Sequence, residues 1–146
     1  MVHAVRLRGA LAGPDGLWVG NLHAQLGRWE RQADGAPPTE VTGRPGADVA
    51  LAAARLQAWS RAAAARREAG TDGTPAVPLL LGGDLNLPAG DLATVLPAGW
   101  RTLASAGPDH LTGRGLLPDG RPERPDRGAL SDHAPLLLRA IRLDAR

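Results

Sequence analysis

One long helical pattern set among short strand-like segments constrains the fold of this chain more than any other feature. Apolar side chains recur at helical spacing from Asp48 to Ala69, and Gly70 ends the pattern. A shorter helix is predicted over residues 90–96. The predicted strands are Val2–Leu7, Leu17–His23, Val77–Leu81, Trp100–Leu103, His110–Leu116 and Leu136–Leu143. This order predicts an α/β (α+β) fold in which segments distant in sequence share a sheet.

The same pattern predicts which side chains are buried. The expected buried stripe of the long helix consists of Val49, Ala52, Ala53, Leu56, Trp59 and Ala63. Residues 27–46 show no sustained period and contain several Gly and Pro residues, so we expect a long surface loop there. The last predicted strand, Leu136–Leu143, is apolar on both alternating faces and is expected to be buried on both sides.

Composition limits the class of protein. The chain has 146 residues, 43% of them hydrophobic, which suits a single domain over residues 1–146. Cysteine is absent, which excludes disulfides and thiolate metal sites. All 17 basic residues are arginine and the net charge is only +2, so Arg121, Arg124 and Arg127 are interpreted as a solvated loop. No segment approaches the ~20 apolar residues of a membrane span, and we expect a cytoplasmic protein.

A carboxylate and an amide follow the apolar strand Val77–Leu81, in the sequence Gly83-Asp84-Leu85-Asn86. Asp84 and Asn86 point to one side if the chain stays extended. An ionised aspartate can orient and deprotonate water, and an amide can donate to a phosphoryl oxygen or present its carbonyl to a metal. Both residues are equally typical of a strand-to-turn junction, and the sequence leaves the two interpretations open.

A second polar group, Ser131-Asp132-His133, precedes the last predicted strand. The carboxylate of Asp132 is a hard oxygen ligand suited to Mg²⁺, and the imidazole of His133 can donate a hydrogen bond to a phosphate oxygen. Asp109, at the start of the preceding strand, is the best candidate to orient that ring and fix its tautomer. The alternative is a turn aspartate beside a half-buried structural histidine.

A third candidate, His23, ends the second predicted strand beside Asn21. A lone histidine on a strand is usually structural. We interpret His3 and His110 in that way, with His110 next to the site rather than in it. Three strand-associated motifs suited to phosphate and metal in one chain favour a common site over three unrelated turns.

Together these motifs resemble those of the endonuclease/exonuclease/phosphatase family, whose members include DNase I-like nucleases, inositol polyphosphate phosphatases and sphingomyelinases. The resemblance covers nearly the whole chain. It rests on Asn21-Leu22-His23, the strand Leu79–Asn86 with its Gly-Asp-x-Asn motif, Asp109-His110, and Ser131–Pro135 with its Ser-Asp-His-x-Pro signature. It implies part of a four-layer α/β/β/α sandwich with mostly antiparallel or mixed sheets.

The resemblance also implies an activity and roles. His23 and His133 would stabilise the scissile phosphate, Asp84 would position or activate the water, and Asn86 would hold a phosphoryl oxygen. The implied reaction is divalent-metal-dependent hydrolysis of a phosphodiester or phosphomonoester. The substrate would be a nucleic acid, an inositol phosphate or a phospholipid head group.

By the same resemblance Asp109 would pair with His133, and Asp132 would belong to the coordination shell of Mg²⁺ or Mn²⁺. The family's other metal ligands, an Asn and a Glu, precede its Asn-x-His motif. Before Asn21 this chain has Asp15 as its only acid. We therefore expect the C-terminal half of such a domain, with the other half lost or supplied by a second chain.

Three functional hypotheses follow. The first is a phosphoesterase that depends on the missing half. The second is a catalytically inactive remnant or interaction module of the same fold. The third is a nucleic-acid-binding module that uses the arginine-rich loops, which the small net charge and the absence of Phe and Tyr disfavour.

Overall fold

The computed structural model describes residues 2–8, 16–24, 28–30, 39–42, 45–65, 77–126, 128–129 and 132–144. Asp15, Ser131 and the last residues of the predicted long helix, 66–69, lie outside these ranges. The elements in chain order are β1 (Val2–Leu7), β2 (Leu17–Leu22), β3 (Arg28–Glu30), β4 (Thr39–Thr42), α1 (Pro45–Ala65), β5 (Leu79–Asp84), α2 (Ala89–Val95), β6 (Trp100–Ala106), β7 (Asp109–Arg114), β8 (Leu116–Pro118) and β9 (Ile141–Leu143).

A mixed sheet of five strands organises the described part of the molecule, in the order β1, β2, β5, β7, β6. The pair β2 and β5 is parallel, whereas the other neighbouring pairs are antiparallel. Parallel neighbours need a long crossover connection, and α1 lies in the connection from β2 to β5. The predicted α+β class is therefore confirmed.

The hydrophobic core lies between this sheet and the two helices. Leu56 of α1 packs directly over β2, because a Cβ atom at Gly20 would lie 2.7 Å from Leu56 Cδ1. The absence of a side chain at Gly20 thus sets how closely the helix approaches the sheet. The buried cluster consists of Leu22, Ala24, Val49, Ala52, Ala53, Leu56, Leu79, Leu81, Leu85, Leu87, Leu92 and Trp100.

The buried stripe of α1 differs from the prediction at Trp59 and Ala63, neither of which is buried. Trp59 is 40% exposed, whereas Ser60 is 4% exposed. Ser60 follows Leu56 by four residues and therefore lies on the same helix face, while Trp59 lies on the flank. The hydroxyl of Ser60 donates to the carbonyl of Gln57 at 3.1 Å, which satisfies a polar group that would otherwise be buried alone.

One edge of the sheet is apolar and exposed. β1 is the outermost strand on that side, and its Val5 and Leu7 side chains are 58% and 47% exposed. Edge strands of this kind pair readily with further strands. The β1 edge is therefore the part of this sheet best suited to extension by another strand.

Two predictions made from the sequence are wrong, one of a long loop and one of a long strand. The expected long loop over residues 27–46 contains an antiparallel ribbon, β3 with β4, and the start of α1. Three- and four-residue strands are too short to produce a readable period, so the sequence gives little sign of them. Proline at position 45 begins the helix, where its missing N–H costs nothing.

The last predicted strand is also much shorter than expected. Only Ile141–Leu143 is a strand, paired with β8, and Leu137 makes an isolated bridge to Glu123. Leu137 is 37% exposed, so the segment is not buried on both faces. β8 ends at Pro118, which has no N–H to extend the ladder. The predicted strand His110–Leu116 is divided at Gly115, whose φ is 68°.

The longest described helix is α1, with 21 residues. Within the described ranges, no helix combines the length and apolar character needed to cross a membrane.

Candidate functional site

The last residues of β2 and β5 and the first residue of β7 lie side by side at the same end of the strands. Asp84 is opposite Asp109 in the β5–β7 register. The amide of Ala24, just after β2, donates to the carbonyl of Asp84 at 2.9 Å. The amide of Leu85 donates to the carbonyl of Pro108, also at 2.9 Å. These backbone bonds bring His23, Asp84 and Asp109 to the same end of the sheet.

Gly83 is required for this convergence. Its φ is 132°, and a Cβ atom there would lie 2.1 Å from the carbonyl oxygen of Leu22 and 2.7 Å from Oδ1 of Asn21. Real Cβ atoms do not approach backbone oxygens so closely, and side chains rarely adopt this φ. The glycine before Asp84 therefore lets β5 lie against the end of β2.

Asp84 and Asn86 form a turn that presents polar groups around one buried residue. The amide of Asn86 donates to Oδ1 of Asp84 at 3.0 Å, the bond of an Asx-turn. The prediction that Asp84 and Asn86 point to one side assumed an extended chain. Asn86 has φ 51°, so the chain is not extended there. Leu85 is fully buried between them. Asn86 Nδ2 donates to the carbonyl of Ala24 at 2.7 Å, which fixes this side chain against the end of β2.

The carboxylate of Asp84 lies between two imidazoles. Its Oδ2 is 3.5 Å from Nε2 of His23 and 3.9 Å from Nδ1 of His133. The side chain of Asp84 is 17% exposed, while those of His23 and His133 are 80% and 36% exposed. Solvent and a ligand can therefore reach both rings, and the carboxylate is held beneath them.

Asp109 lies closer than Asp84 to the ring of His133. Its Oδ2 lies 2.9 Å from Nδ1 of His133. That oxygen is buried, and among the described residues no hydrogen bond of good geometry reaches it. The short distance and the missing bond together mean that the ring lies beside the carboxylate without its N–H pointing along the oxygen lone pair. A buried carboxylate oxygen without a hydrogen bond is unfavourable. A side chain that can donate one, such as an imidazole, is therefore favoured at the position of His133.

The predicted metal ligand Asp132 does not join this cluster in the described structure. Its side chain is exposed, and within the described ranges no group of three or more His, Asp or Glu side chains is arranged to hold a metal ion. One exposed carboxylate is a poor basis for a Mg²⁺ or Mn²⁺ site, which is built from several oxygen ligands. The described residues thus do not fit the implied metal by themselves, and its coordination by Asp132 remains a prediction.

A pocket of about 360 Å³ opens beside His133 and Asp109. Its lining consists of Gly83, Asp109, His110, Leu111, His133, Ala134, Pro135 and Leu136. Sequence reasoning did not identify the apolar members of this set. Leu111 has the pattern of an ordinary strand residue, Leu136 is the first residue of a predicted strand, and Ala134 and Pro135 directly precede that strand. Their position immediately after His133 is the sequence signal that could have found them.

His110 is a structural residue at the wall of this pocket, in agreement with its predicted position beside the site. It is 1% exposed. Nε2 lies 2.8 Å from the carbonyl of Leu87, and Nδ1 lies 2.7 Å from the hydroxyl of Ser105. Because a carbonyl can only accept, Nε2 carries the proton and Nδ1 accepts from Ser105 in the neutral ring. His110 thereby joins β7, β6 and the loop after Asn86.

Comparison with known proteins gives little further information. No protein-family model matches the chain, and no curated protein matches it. A solved structure described as truncated Caenorhabditis elegans TDP2 is similar, with 17% identity and a TM-score of 0.38. The match covers 85% of this chain and 54% of that one, so this chain spans about half the length of the protein it matches. A similarity this low supports no conclusion about the fold or the activity of this chain.

Proposed function

We propose that the chain supplies the phosphate-binding and proton-transfer side chains of a phosphate ester hydrolase. The observation that carries this proposal is the position of Asp84 Oδ2, 3.5 Å from His23 and 3.9 Å from His133. These residues belong to three separate parts of the chain, and only folding brings them together. A carboxylate between two accessible imidazoles combines a proton acceptor with groups that can donate protons, which general acid–base hydrolysis requires.

Each side chain then has a defined task. Asp84 orients water and accepts its proton as the water oxygen attacks phosphorus, and its own position is fixed by the Asn86 amide at Oδ1. His23 and His133 donate N–H groups to phosphoryl oxygens and stabilise the charge that develops there. One protonated imidazole passes its proton to the ester oxygen as the P–O bond breaks. Asp109 orients His133.

Dependence on Mg²⁺ or Mn²⁺ is a further part of the proposal that rests on the motif resemblance alone. In proteins that use such an ion, it neutralises phosphate charge and polarises the P–O bond. None of the steps assigned above to Asp84, His23 and His133 requires it. The remaining ligands would have to come from outside the described residues or from a second chain.

Release of p-nitrophenolate from bis(p-nitrophenyl) phosphate and from p-nitrophenyl phosphate tests the proposal on a diester and a monoester. The assay is run with Mg²⁺, with Mn²⁺ and with EDTA. We expect turnover that is abolished in His133→Ala and Asp84→Asn and retained in Asp119→Asn, an exposed aspartate outside the cluster. Turnover that is unchanged in His133→Ala would overturn the proposal for this chain. The absence of turnover by the wild type under every condition would also overturn it.

Asp132→Asn tests the metal role separately. If Asp132 binds the ion, this variant loses the turnover that Mg²⁺ adds and keeps the turnover measured in EDTA. Asp119→Asn is the matched control. Equal Mg²⁺ stimulation in both variants would rule out Asp132 as a ligand that matters for activity.

A catalytically inactive interaction module is the second candidate. The 80% exposure of the His23 side chain favours it, because a ring so exposed is held weakly against Asp84. This candidate predicts no turnover and no rise in melting temperature with Mg²⁺ or Mn²⁺. A large metal-induced rise would exclude it.

The contacts of three described arginines weigh against the nucleic-acid hypothesis. Arg124 donates to the carbonyl of Ser105, and Arg139 is bonded to Glu123. Arg101 pairs with Asp144 at 2.9 Å. These guanidinium groups are engaged within the chain, which reduces what they offer to a phosphate backbone.

A further inference from the structure

We propose that the substrate of this site is a phosphate ester carrying a compact uncharged apolar substituent, which binds in the pocket beside His133. The inference rests on the proposed function for the identity of the anion. It adds the chemical class of the group attached to the phosphate. It disfavours polyanionic substrates such as inositol polyphosphates.

The chemistry of the pocket wall carries the first step. Four of its lining residues are apolar, and they are Leu111, Ala134, Pro135 and Leu136. The ionisable lining groups are Asp109, His110 and His133. His110 is buried with both ring nitrogens within hydrogen-bonding distance of Leu87 and Ser105, and Asp109 is an acid. Among the side chains of the described lining residues, the imidazole of His133 is thus the only one suited to bind an anion. A second phosphate group in the pocket would contact apolar side chains.

The sheet itself creates the apolar floor. A Cβ atom at Gly82 would lie 2.7 Å from Cδ2 of Leu111. The absence of a side chain at Gly82 therefore leaves room for the Leu111 side chain to lie across β5. Gly83, the next residue of β5, also has no side chain, and it lines the pocket together with Leu111.

The position of the polar groups sets the orientation of a ligand. His133 and Asp109 line the pocket, and His133 is also 3.9 Å from Asp84 Oδ2. A phosphate that contacts the His133 ring therefore lies where the proposed catalytic groups meet the pocket. Its ester substituent extends toward Leu111 and Leu136.

The pocket volume limits the size of that substituent. Its volume of about 360 Å³ is at the lower end of ordinary ligand pockets, which span about 300–1,000 Å³. At roughly 30 Å³ per water-sized unit, it holds about a dozen non-hydrogen atoms. The pocket can enclose a butyl or phenyl group together with part of the phosphate, whereas most of a long acyl chain would extend beyond it into solvent.

Binding of a homologous series tests the inference without relying on turnover. The probes are dimethyl phosphate, methyl butyl phosphate and methyl phenyl phosphate, with inositol hexakisphosphate as the polyanionic comparison, all measured by calorimetry. Each buried methylene is expected to tighten binding about fourfold. We therefore expect the butyl and phenyl esters to bind much more tightly than the dimethyl ester.

Two variants locate the effect in the pocket. Leu136→Asp should remove the advantage of the butyl and phenyl esters, and Leu111→Ala should reduce it while leaving a folded protein. Leu51→Asp is the control, because Leu51 is 50% exposed on α1 and does not line the pocket. Circular dichroism identifies any variant that fails to fold.

The outcomes separate this inference from the proposed function. Equal binding of the methyl and butyl esters, tighter binding of the hexakisphosphate, or no binding of any probe at millimolar concentration would overturn it. If the series binds as expected but no ester is hydrolysed, the pocket assignment stands and the proposed hydrolase activity fails. If His133-dependent hydrolysis occurs without preference along the series, the activity stands and the pocket assignment fails.

Discussion

The Nδ1 atom of His133 lies 2.9 Å from Oδ2 of Asp109, and this contact joins the first residue of β7 to a segment that belongs to no strand. The same carboxylate oxygen is buried and has no well-formed hydrogen bond within the described ranges. Loss of the imidazole would remove the nitrogen that lies 2.9 Å from that buried oxygen. The ring and the carboxylate are therefore expected to act as one unit.

A double-mutant cycle on Asp109 and His133 tests this unit. We expect His133→Asn to lower kcat/KM by about 100-fold or more, as loss of a general acid–base group does. Asp109→Asn should lower it by about 10- to 100-fold, because the ring loses the group that orients it. The double variant should be no worse than His133→Asn alone, since residues that act through one another are not additive. Losses that multiply in the double variant would show that the two residues act independently.

Gly83 and Gly90 provide a matched pair of alanine substitutions. Gly83→Ala should destabilise the protein by at least about 3 kcal/mol, because the new Cβ meets the Leu22 carbonyl and the backbone is strained. Gly90 lies in α2, and a Cβ atom added there would have no neighbour within 4 Å. Gly90→Ala should stabilise by about 0.5–1 kcal/mol. Urea denaturation measures both, and similar effects at the two positions would contradict the close approach of β5 to β2.

His110 is expected to be important for stability although it makes no contact assigned to catalysis. His110→Ala removes a buried ring and leaves the Ser105 hydroxyl and the Leu87 carbonyl without their partner. The expected loss in free energy of unfolding is about 2–5 kcal/mol. His3→Ala, at an exposed position on β1, should change it by less than about 0.5 kcal/mol. Equal effects of the two substitutions would show that the hydrogen-bonded position of His110 is wrong.

The pair Glu123 and Arg139 gives a pH dependence. Hydrogen bonds from Arg139 lower the pKa of the Glu123 carboxyl from its usual 4.5, and the guanidinium charge acts in the same direction. A lowered folded-state pKa means that the unfolded chain binds the proton more readily, so this contribution to stability is present above pH 4.5 and is lost as the pH falls through the lowered pKa.

The melting temperatures of the wild type and Glu123→Gln should therefore differ at pH 7 and converge at acid pH. Both side chains are exposed, so the difference should be small and should decrease further in salt. Asp119→Asn is the control and should show no such convergence. A gap that widens as the pH falls would contradict the assigned direction of the Glu123 pKa.

Although the strand predicted after His133 is mostly absent, His23, Asp84 and Asp109 could be identified as candidates from the sequence because each lies next to a segment whose strand pattern is strong. β1 was predicted with its observed bounds for the same reason. The roles of these four residues are still predictions. What the structure adds is their distances, and in particular that Asp84 faces both histidines.

Other features depended on tertiary neighbours that no local pattern records. The helical period placed Trp59 near the buried stripe, but the position of α1 on the sheet decides that Ser60 is buried instead. The alternation in Leu136–Leu143 suggested burial on two faces, but the short β8 gives this segment a partner over only three residues. The pocket wall at Leu111 could not be predicted because it depends on the register that places Gly82 opposite this residue.

The most direct test of the central claim is an NMR titration of the four imidazoles with inorganic phosphate, since the chain has only four histidines. If His23 and His133 flank a phosphate site, their ring resonances should shift together with one dissociation constant. The ring of His110 should not move, because it is buried and hydrogen-bonded. Asp84→Asn should alter the response of both site histidines. Absence of any shift at His23 and His133, or shifts no larger than that of His3, would contradict the account.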